Sequence, residues 1–301
     1  MKWRPTAGSV TGMSVGSLLA TSDLHVSYDQ NRDVVAAIRP TSDDDWLIIA
    51  GDVAETVDRI SWALDLLARR FAKVIWAPGN HELWTTKHDS VQLRGEQRYQ
   101  HLVQMCRELG VLTPEDEYPV WRTDEEEFVI APLFQLYDYS FRDEGATLEE
   151  TMKYAYEVGI VCTDELVLHP DPFPTRQQWC EHRVKVTAAR LDAIPAHLRT
   201  VLVSHWPLHR GPTRMLRWQH FAMWCGTRLT ADWHLRYRAA AVVYGHLHIP
   251  VTLEYDGVRF DEVSLGYPRE WGKRTSTPNP VRGILPPDPT RVPFNRRGGQ
   301  A

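Results

Sequence analysis

Five short apolar runs, each delivering a polar group that a hydrophobic core has no use for, constrain this chain most. Leu18-Leu19-Ala20 leads to Asp23-Leu24-His25, Trp46 to Ala50 leads to Gly51-Asp52-Val53-Ala54-Glu55, and Lys73 to Ala77 leads to Pro78-Gly79-Asn80-His81-Glu82. Further on, Thr200 to Val203 delivers Ser204-His205, and Ala239 to Tyr244 delivers Gly245-His246-Leu247-His248. Apolar runs this short, bounded by turn residues, read as buried strands. Between the second and third runs, Val57, Ile60, Ala63, Leu64 and Leu67 recur at three- and four-residue spacing, the stripe of an amphipathic helix. Strand, helix, strand is the βαβ pattern of an α/β fold, whose ligands bind outside the carboxyl ends of the strands.

At 301 residues the chain can form one large α/β domain or two small ones. A net charge of -5 argues against a general nucleic-acid binder, whose affinity rests on cationic side chains. Cys106, Cys162, Cys180 and Cys225 are far apart and form no CxxC pair, so they read as reduced thiols of a cytoplasmic protein. No run approaches the ~18 apolar residues of a membrane helix. Lys2 and Arg4 before Val15 to Ala20 have the outline of a signal peptide. That run passes into Asp23-Leu24-His25 without a small-residue cleavage pattern, so it reads as the first strand.

Three segments follow: a lead-in over 1–16, a folded domain over 17–272, and a Pro/Arg-rich extended tail over 273–301. Within the domain, helices are expected over 91–109, 147–158 and from Thr175 to Ile194, the last capped by its threonine. Residues 114–127 read as a solvated acidic loop, Phe134 to Phe141 as an aromatic loop near the site, and Asp256-Gly257 as a hairpin turn.

Pooled, the five loops offer Asp23, His25, Asp52, Asn80, His205, His246 and His248, with His81 and Glu55 beside them. A lone histidine is ordinarily a hydrogen-bonded core or surface residue. Aspartates and imidazoles arriving together without cysteine suit a transition metal such as Mn, Fe or Zn. Seven ligand-type residues exceed one open catalytic site and fit two metals sharing a carboxylate.

This ordered set (Asp-x-His, Gly-Asp-x-x-Glu, Gly-Asn-His-Glu, a lone His, Gly-His-x-His) resembles that of the calcineurin-like metallophosphoesterases. The resemblance implies a four-layer α-β-β-α sandwich of two mixed sheets flanked by helices. It implies that Asp23, His25 and His248 hold one metal, Asn80, His205 and His246 the other, and Asp52 bridges them. It also implies a phosphodiester hydrolase in which a metal-bridging hydroxide attacks phosphorus. His81 would protonate the departing oxygen as general acid, and Glu55 would orient it. Alternatively, Glu55 is a helix N-terminal acid favoured by the dipole.

Further stretches narrow the substrate: Leu83-Trp84-Thr85-Thr86, Leu136 to Phe141, Trp224 to Thr227, Ala231 to His234, and Gly257 to Trp271. Over about 17–272 they resemble the actinobacterial 4′-phosphopantetheinyl hydrolases. That implies removal of 4′-phosphopantetheine from holo acyl carrier proteins, with Mn and/or Fe, or Zn, as cofactors. A nucleotide phosphodiesterase or protein phosphatase of the same superfamily is the alternative; seven filled ligand positions argue against a non-catalytic binding module. From Trp206 to Ala231 there are four arginines, Arg210, Arg214, Arg217 and Arg228, and no acidic residue. Arg210, Arg214 and Arg217 would steer an acidic carrier protein to the metals. The competing readings are arginines paired with acids elsewhere, or a grip on single-stranded nucleic acid.

Overall fold

A computed structural model of the chain describes residues 16–123, 125–272, 280–288, 290 and 293–294. The apolar runs form β1 (Leu18–Thr21), β2 (Trp46–Ala50) and β3 (Lys73–Ala77) in one sheet. The second sheet is built from β4 (Val120–Arg122), β5 (Glu127–Pro132), β6 (Arg199–Val203), β7 (Ala239–Tyr244), β8 (Thr252–Tyr255) and β9 (Val258–Glu262). With β10 (Arg282–Leu285), the strand orders are β10-β1-β2-β3 and β4-β5-β6-β7-β9-β8. The strands β1, β2 and β3 run parallel, as do β5, β6, β7 and β9, while β4, β8 and β10 pair antiparallel. Both sheets are therefore mixed, as the resemblance implies.

The strands that deliver the five loops are nearly unbroken apolar runs because both faces are covered. Leu18, Ala20, Ile48, Ala50, Ile75 and Ala77 meet Ile130, Val201, Val203, Ala241 and Val243 between the sheets. The alternate residues Leu47, Ile49, Val74 and Trp76 on one sheet, and Val129, Ala131, Leu202 and Val242 on the other, face the flanking helices. On the first sheet the predicted stripe becomes α2 (Val57–Ala68), burying Val57, Ile60, Ala63, Leu64 and Leu67. The helix α4 (Gly95–Glu108) packs beside it. Against the second sheet lies α7 (Arg176–Asp192), where Thr175 accepts the backbone N–H of Gln178 as predicted. All four cysteines are buried free thiols.

Three segments depart from the sequence reading. Residues 29–37 form a helix, α1, burying only Asn31 and Val35, too thin an apolar face to register as a period. The acidic stretch 114–127 contains β4, an edge strand whose Trp121 is buried between the sheets. In the stretch read as an extended tail, β10 pairs along β1 and buries Ile284 and Leu285. Phe294 donates its backbone N–H to Thr252 O at 2.8 Å. An edge position needs only four residues of apolar pairing, which a Pro- and Arg-rich composition masks.

Candidate metal centre

The parallel strands of both sheets end on the same side, so the loops after β1, β2, β3, β6 and β7 converge. Asp23, His25, Asp52, Asn80, His81 and His205 are buried there, with His246 and His248 partly buried. Five of them occupy the left-handed backbone region: Asp23 (φ 51°), His25 (42°), Asp52 (56°), His246 (70°) and His248 (54°). For residues with a Cβ this costs on the order of 1 kcal/mol each and persists only where surrounding structure enforces it. Loop-to-loop bonds do so here. Asp23 N–H donates to Gly51 O at 2.9 Å, His25 N–H to Asp52 O at 3.1 Å, and Gly245 N–H to His205 O at 3.0 Å. The glycines are close-approach positions: a Cβ on Gly79 would overlap Asp52 Oδ1, and one on Gly245 would overlap Asp23 Oδ2.

The loops bring together ring nitrogens and oxygens, with the backbone N–H groups of His246 and His81 donating to Asp23 and to Asp52. The carbonyl of Ala50 lies 2.9 Å from His205 Nδ1, which donates to it and leaves Nε2 as the acceptor. That Nε2 stands 3.1 Å from Asn80 Oδ1, 3.4 Å from Asp52 Oδ1 and 3.1 Å from His246 Nδ1. Asn80 spends its amide N–H on Asp164 Oδ1 at 2.9 Å, so its Oδ1 can only accept. The other cluster repeats the arrangement. His248 Nδ1 donates to Glu270 Oε2 at 2.8 Å, turning Nε2 toward Asp23 Oδ1 at 2.9 Å and His25 Nε2 at 3.2 Å. Asp52 faces both clusters, Oδ1 toward His205 and Oδ2 toward His25 Nε2 at 4.0 Å. Acceptors packed this closely repel unless a proton or a metal ion lies among them; Asp23, His25 and His248, and Asp52, His205 and His246, fit two ions with Asp52 between, while His25, Asp52 and His81 form an overlapping third group.

Without a cation, protons take its place on two imidazoles: against burial, Asp52 raises His205 to about 9, and Asp23 with Glu270 raises His248. Burial raises the Asp23 carboxyl, but the charge and hydrogen bond of His248 outweigh it and hold Asp23 well below the usual range. Burial likewise opposes, and His205 and His81 overcome, to keep Asp52 ionised. Burial, with the neighbouring His81, lowers His25 to about 3; burial with His205 does the same to His246. Both therefore present the neutral imidazole that ligation requires. His81 stands apart. Its Nδ1 lies 3.0 Å from Glu55 Oε1, its ring stacks on Trp84 at 3.7 Å, and its Nε2 is 3.7 Å from Asp52 Oδ2. Against burial, Asp52 and Glu55 raise the His81 imidazole, and His81 and Ser27 lower the Glu55 carboxyl to about 2.

A family profile described as calcineurin-like phosphoesterase matches residues 16–250. The chain belongs to the calcineurin-like phosphoesterase family. It is 52% identical, over 302 residues, to the acyl-carrier-protein phosphodiesterase PptH of Mycobacterium tuberculosis, covering 99% of this chain and 92% of that protein. Its structure is similar to the crystal structure of phosphopantetheinyl hydrolase PptH from the same organism. The TM-score is 0.89 at 53% identity, over 94% of this chain and 100% of that one. The chain is thus a hydrolytic enzyme of the metallophosphoesterase fold.

In this calcineurin-like phosphoesterase the metal-facing groups open into a cleft of about 490 Å³. Asp52, Asn80, His81, His246 and His248 form its floor, and Ile160, Leu216, Trp218, Phe221 and Ile249 form an apolar wall. The arginine cluster read from the sequence divides. Arg210 pairs with Asp143, and Arg228 reaches Glu144 at 3.3 Å and the backbone of Ser140. Of Arg210, Arg214 and Arg217, only Arg217 lines the cleft, with its guanidinium 5.1 Å from the Trp218 ring. Arg269 joins it from the four-residue helix Pro268–Trp271. The aromatic stretch 134–141 is a buried loop that does not line the cleft: Asp138 accepts from Thr227, and Tyr139 and Trp224 both donate to Glu165.

Several working residues escape the sequence reading. Glu82 has no metal-facing atom; it accepts the backbone N–H groups of Val53 at 2.8 Å and of Asp52 and Gly79 at 3.0 Å each. It ties the loops after β2 and β3 together. Asp164 is buried on a four-residue helix, where its Oδ1 accepts from Asn80 and from Trp84 Nε1 at 2.6 Å. No local signal marks it. Glu270 and Tyr267 lie in the Gly257 to Trp271 stretch, whose only sequence signal is the family likeness.

Proposed function

We propose that this enzyme hydrolyses the phosphodiester joining 4′-phosphopantetheine to the serine of acyl carrier proteins, using two transition-metal ions, Mn and/or Fe. The 52% identity over 99% of the chain to a relative named for that reaction carries the substrate class. The site supports it: an apolar wall suits a pantetheine arm, while the acceptor clusters beneath suit cations that clamp its phosphate. Asp23, His25 and His248 would hold one ion, Asn80, His205 and His246 the other, and Asp52 both. Bound there, the ions would stabilise phosphate charge and make water nucleophilic at neutral pH.

The chain's own residues do the rest. Glu55 accepts from His81 Nδ1, which fixes the ring with Nε2 facing the cleft, and Trp84 supports its plane. From there Nε2 can protonate the departing serine oxygen. Asp164, Glu270 and the Ala50 carbonyl orient Asn80, His248 and His205, so that each offers its lone pair inward. Arg217 and Arg269 at the mouth favour an acidic partner face. No helix among the described residues is long and apolar enough to cross a membrane. We place the reaction in the cytoplasm, where four buried thiols stay reduced.

The test is to incubate holo carrier protein with enzyme and Mn. Apo carrier protein and free 4′-phosphopantetheine should appear together, while cyclic nucleotides and phosphopeptides stay intact. Hydrolysis of a cyclic nucleotide or phosphopeptide with holo carrier untouched overturns the assignment.

A further inference from the structure

The cleft contains a second hydrogen-bond donor beside His81 that the reaction as described leaves unused. Tyr267 follows β9 and lines the cleft with Asp52, His81 and His248. Its ring is clamped, stacked on His25 at 4.4 Å with 23° between planes, and edge-on to His248 at 4.7 Å and Tyr28 at 5.6 Å. Arg269 covers the ring at 5.1 Å. The phenol is thereby held with Oη 3.5 Å from His81 Nε2.

That separation exceeds the roughly 2.7–3.2 Å of a good N–H···O hydrogen bond. Two donors 3.5 Å apart can instead share one acceptor, since sides of about 2.8 Å close over that base. Asp52 Oδ2, 3.7 Å from the same Nε2, sets the distance from this point to the acceptor clusters.

We infer that Tyr267 is a catalytic residue whose hydroxyl hydrogen-bonds the leaving oxygen together with His81. The inference rests on the reading of His81 as the general acid. Water forms the new P–O bond while the P–O bond to the leaving group breaks. The departing oxygen takes the Nε2 proton of His81, and the proton released by water restores it. Tyr267 keeps its own proton and donates a hydrogen bond to the charge growing on that oxygen, a stabilisation made mainly in the transition state. A clamped phenol is suited to this because it needs no rearrangement as charge develops.

Tyr267→Phe removes the hydroxyl and keeps the stacking. The experiment measures kcat/KM for wild type and variant on methyl aryl phosphodiesters whose phenol leaving groups rise in pKa, with metal content and melting temperature measured alongside. Loss is expected to grow from under about 3-fold for p-nitrophenol to about 30-fold for phenol, approaching the ~10²-fold typical of one oxyanion donor. Metal content and melting temperature should not change. In a His81→Asn background the same substitution should cost more than in wild type, because without the His81 proton the leaving oxygen carries more charge for the phenol to stabilise; a smaller effect there would count against a shared oxygen. A loss that is flat across the series overturns the inference in favour of contact with another phosphate oxygen. Absence of loss, or loss of metal in Tyr267→Phe, overturns it in favour of a structural ring. Small diesters contain no carrier protein, so this test can fail while the carrier-protein reading stands, and the reverse.

Discussion

Glu82→Gln should destabilise the fold although the side chain does not line the cleft and supplies no atom to the acceptor clusters. In the native enzyme Oε2 accepts the N–H groups of Asp52 and Gly79 at 3.0 Å each, and Oε1 accepts those of Val53 at 2.8 Å and Trp76 Nε1 at 3.4 Å. The amide retains one acceptor oxygen. Placed to serve Val53 and Trp76, it sets an NH₂ against two backbone donors. Two lost charge-assisted bonds cost on the order of 3–6 kcal/mol. Burial and the Asp52 charge push the Glu82 carboxyl up to about 7, opposed by the backbone N–H bonds, so removing the charge gives something back. Taking that relief as about 2 kcal/mol leaves a net loss of about 1–4 kcal/mol. For a chain of this size the melting temperature should fall by roughly 2–6 °C. Because Glu82 holds Asp52 and Gly79 together, the variant should also bind Mn more weakly, as removal of an orienting partner typically costs ~10–100-fold. Thermal and urea unfolding, with Mn titration of the metal-free variant, read both quantities. A melting temperature within 1 °C of wild type, with unchanged Mn affinity, would refute the claim that Glu82 joins the two loops.

Other outcomes follow from the same geometry. Asp164→Ala frees the Asn80 amide to rotate, and calorimetric titration should show one of two Mn sites weakened about 10-fold or more, with the other intact. Exhaustive chelation should lower the melting temperature, and Mn at about 100 times its dissociation constant should return about 2.7 kcal/mol per site. A melting temperature indifferent to chelator would contradict the cation reading of the acceptor clusters. Arg217→Glu should raise KM for holo carrier protein by about 10-fold, more steeply at low salt, while changing hydrolysis of a small chromogenic diester by under about 2-fold. Equal loss on both substrates would count against a docking role.

Much of the site was legible because its parts sit where strands end. A strand covered on both faces is an unbroken apolar run, so the first polar residues after Ala50, Ala77, Val203 and Tyr244 stand out. Their types name the chemistry. Groups acting through partners distant in sequence were invisible. Asp164 reaches Asn80 across 84 residues and Glu270 reaches His248 across 22, from four-residue helices without periodicity. The edge strand β10 was hidden for a related reason, since its register against Leu18 is set by pairing across the whole domain. The arginine cluster misled through composition. Absence of acids between Trp206 and Ala231 says nothing of Asp143 and Glu144, which the fold brings against Arg210 and Arg228.

We propose that Asp23, His25, Asp52, Asn80, His205, His246 and His248 hold two cations with Asp52 between them. Anomalous scattering from crystals grown with Mn tests this most directly. Two peaks are expected, one among Asp23, His25, His248 and Asp52, and the other among Asp52, Asn80, His205 and His246, with neither bonded to His81. A single peak, or a peak bonded to His81 Nε2, would contradict the arrangement and remove His81 as the proton donor.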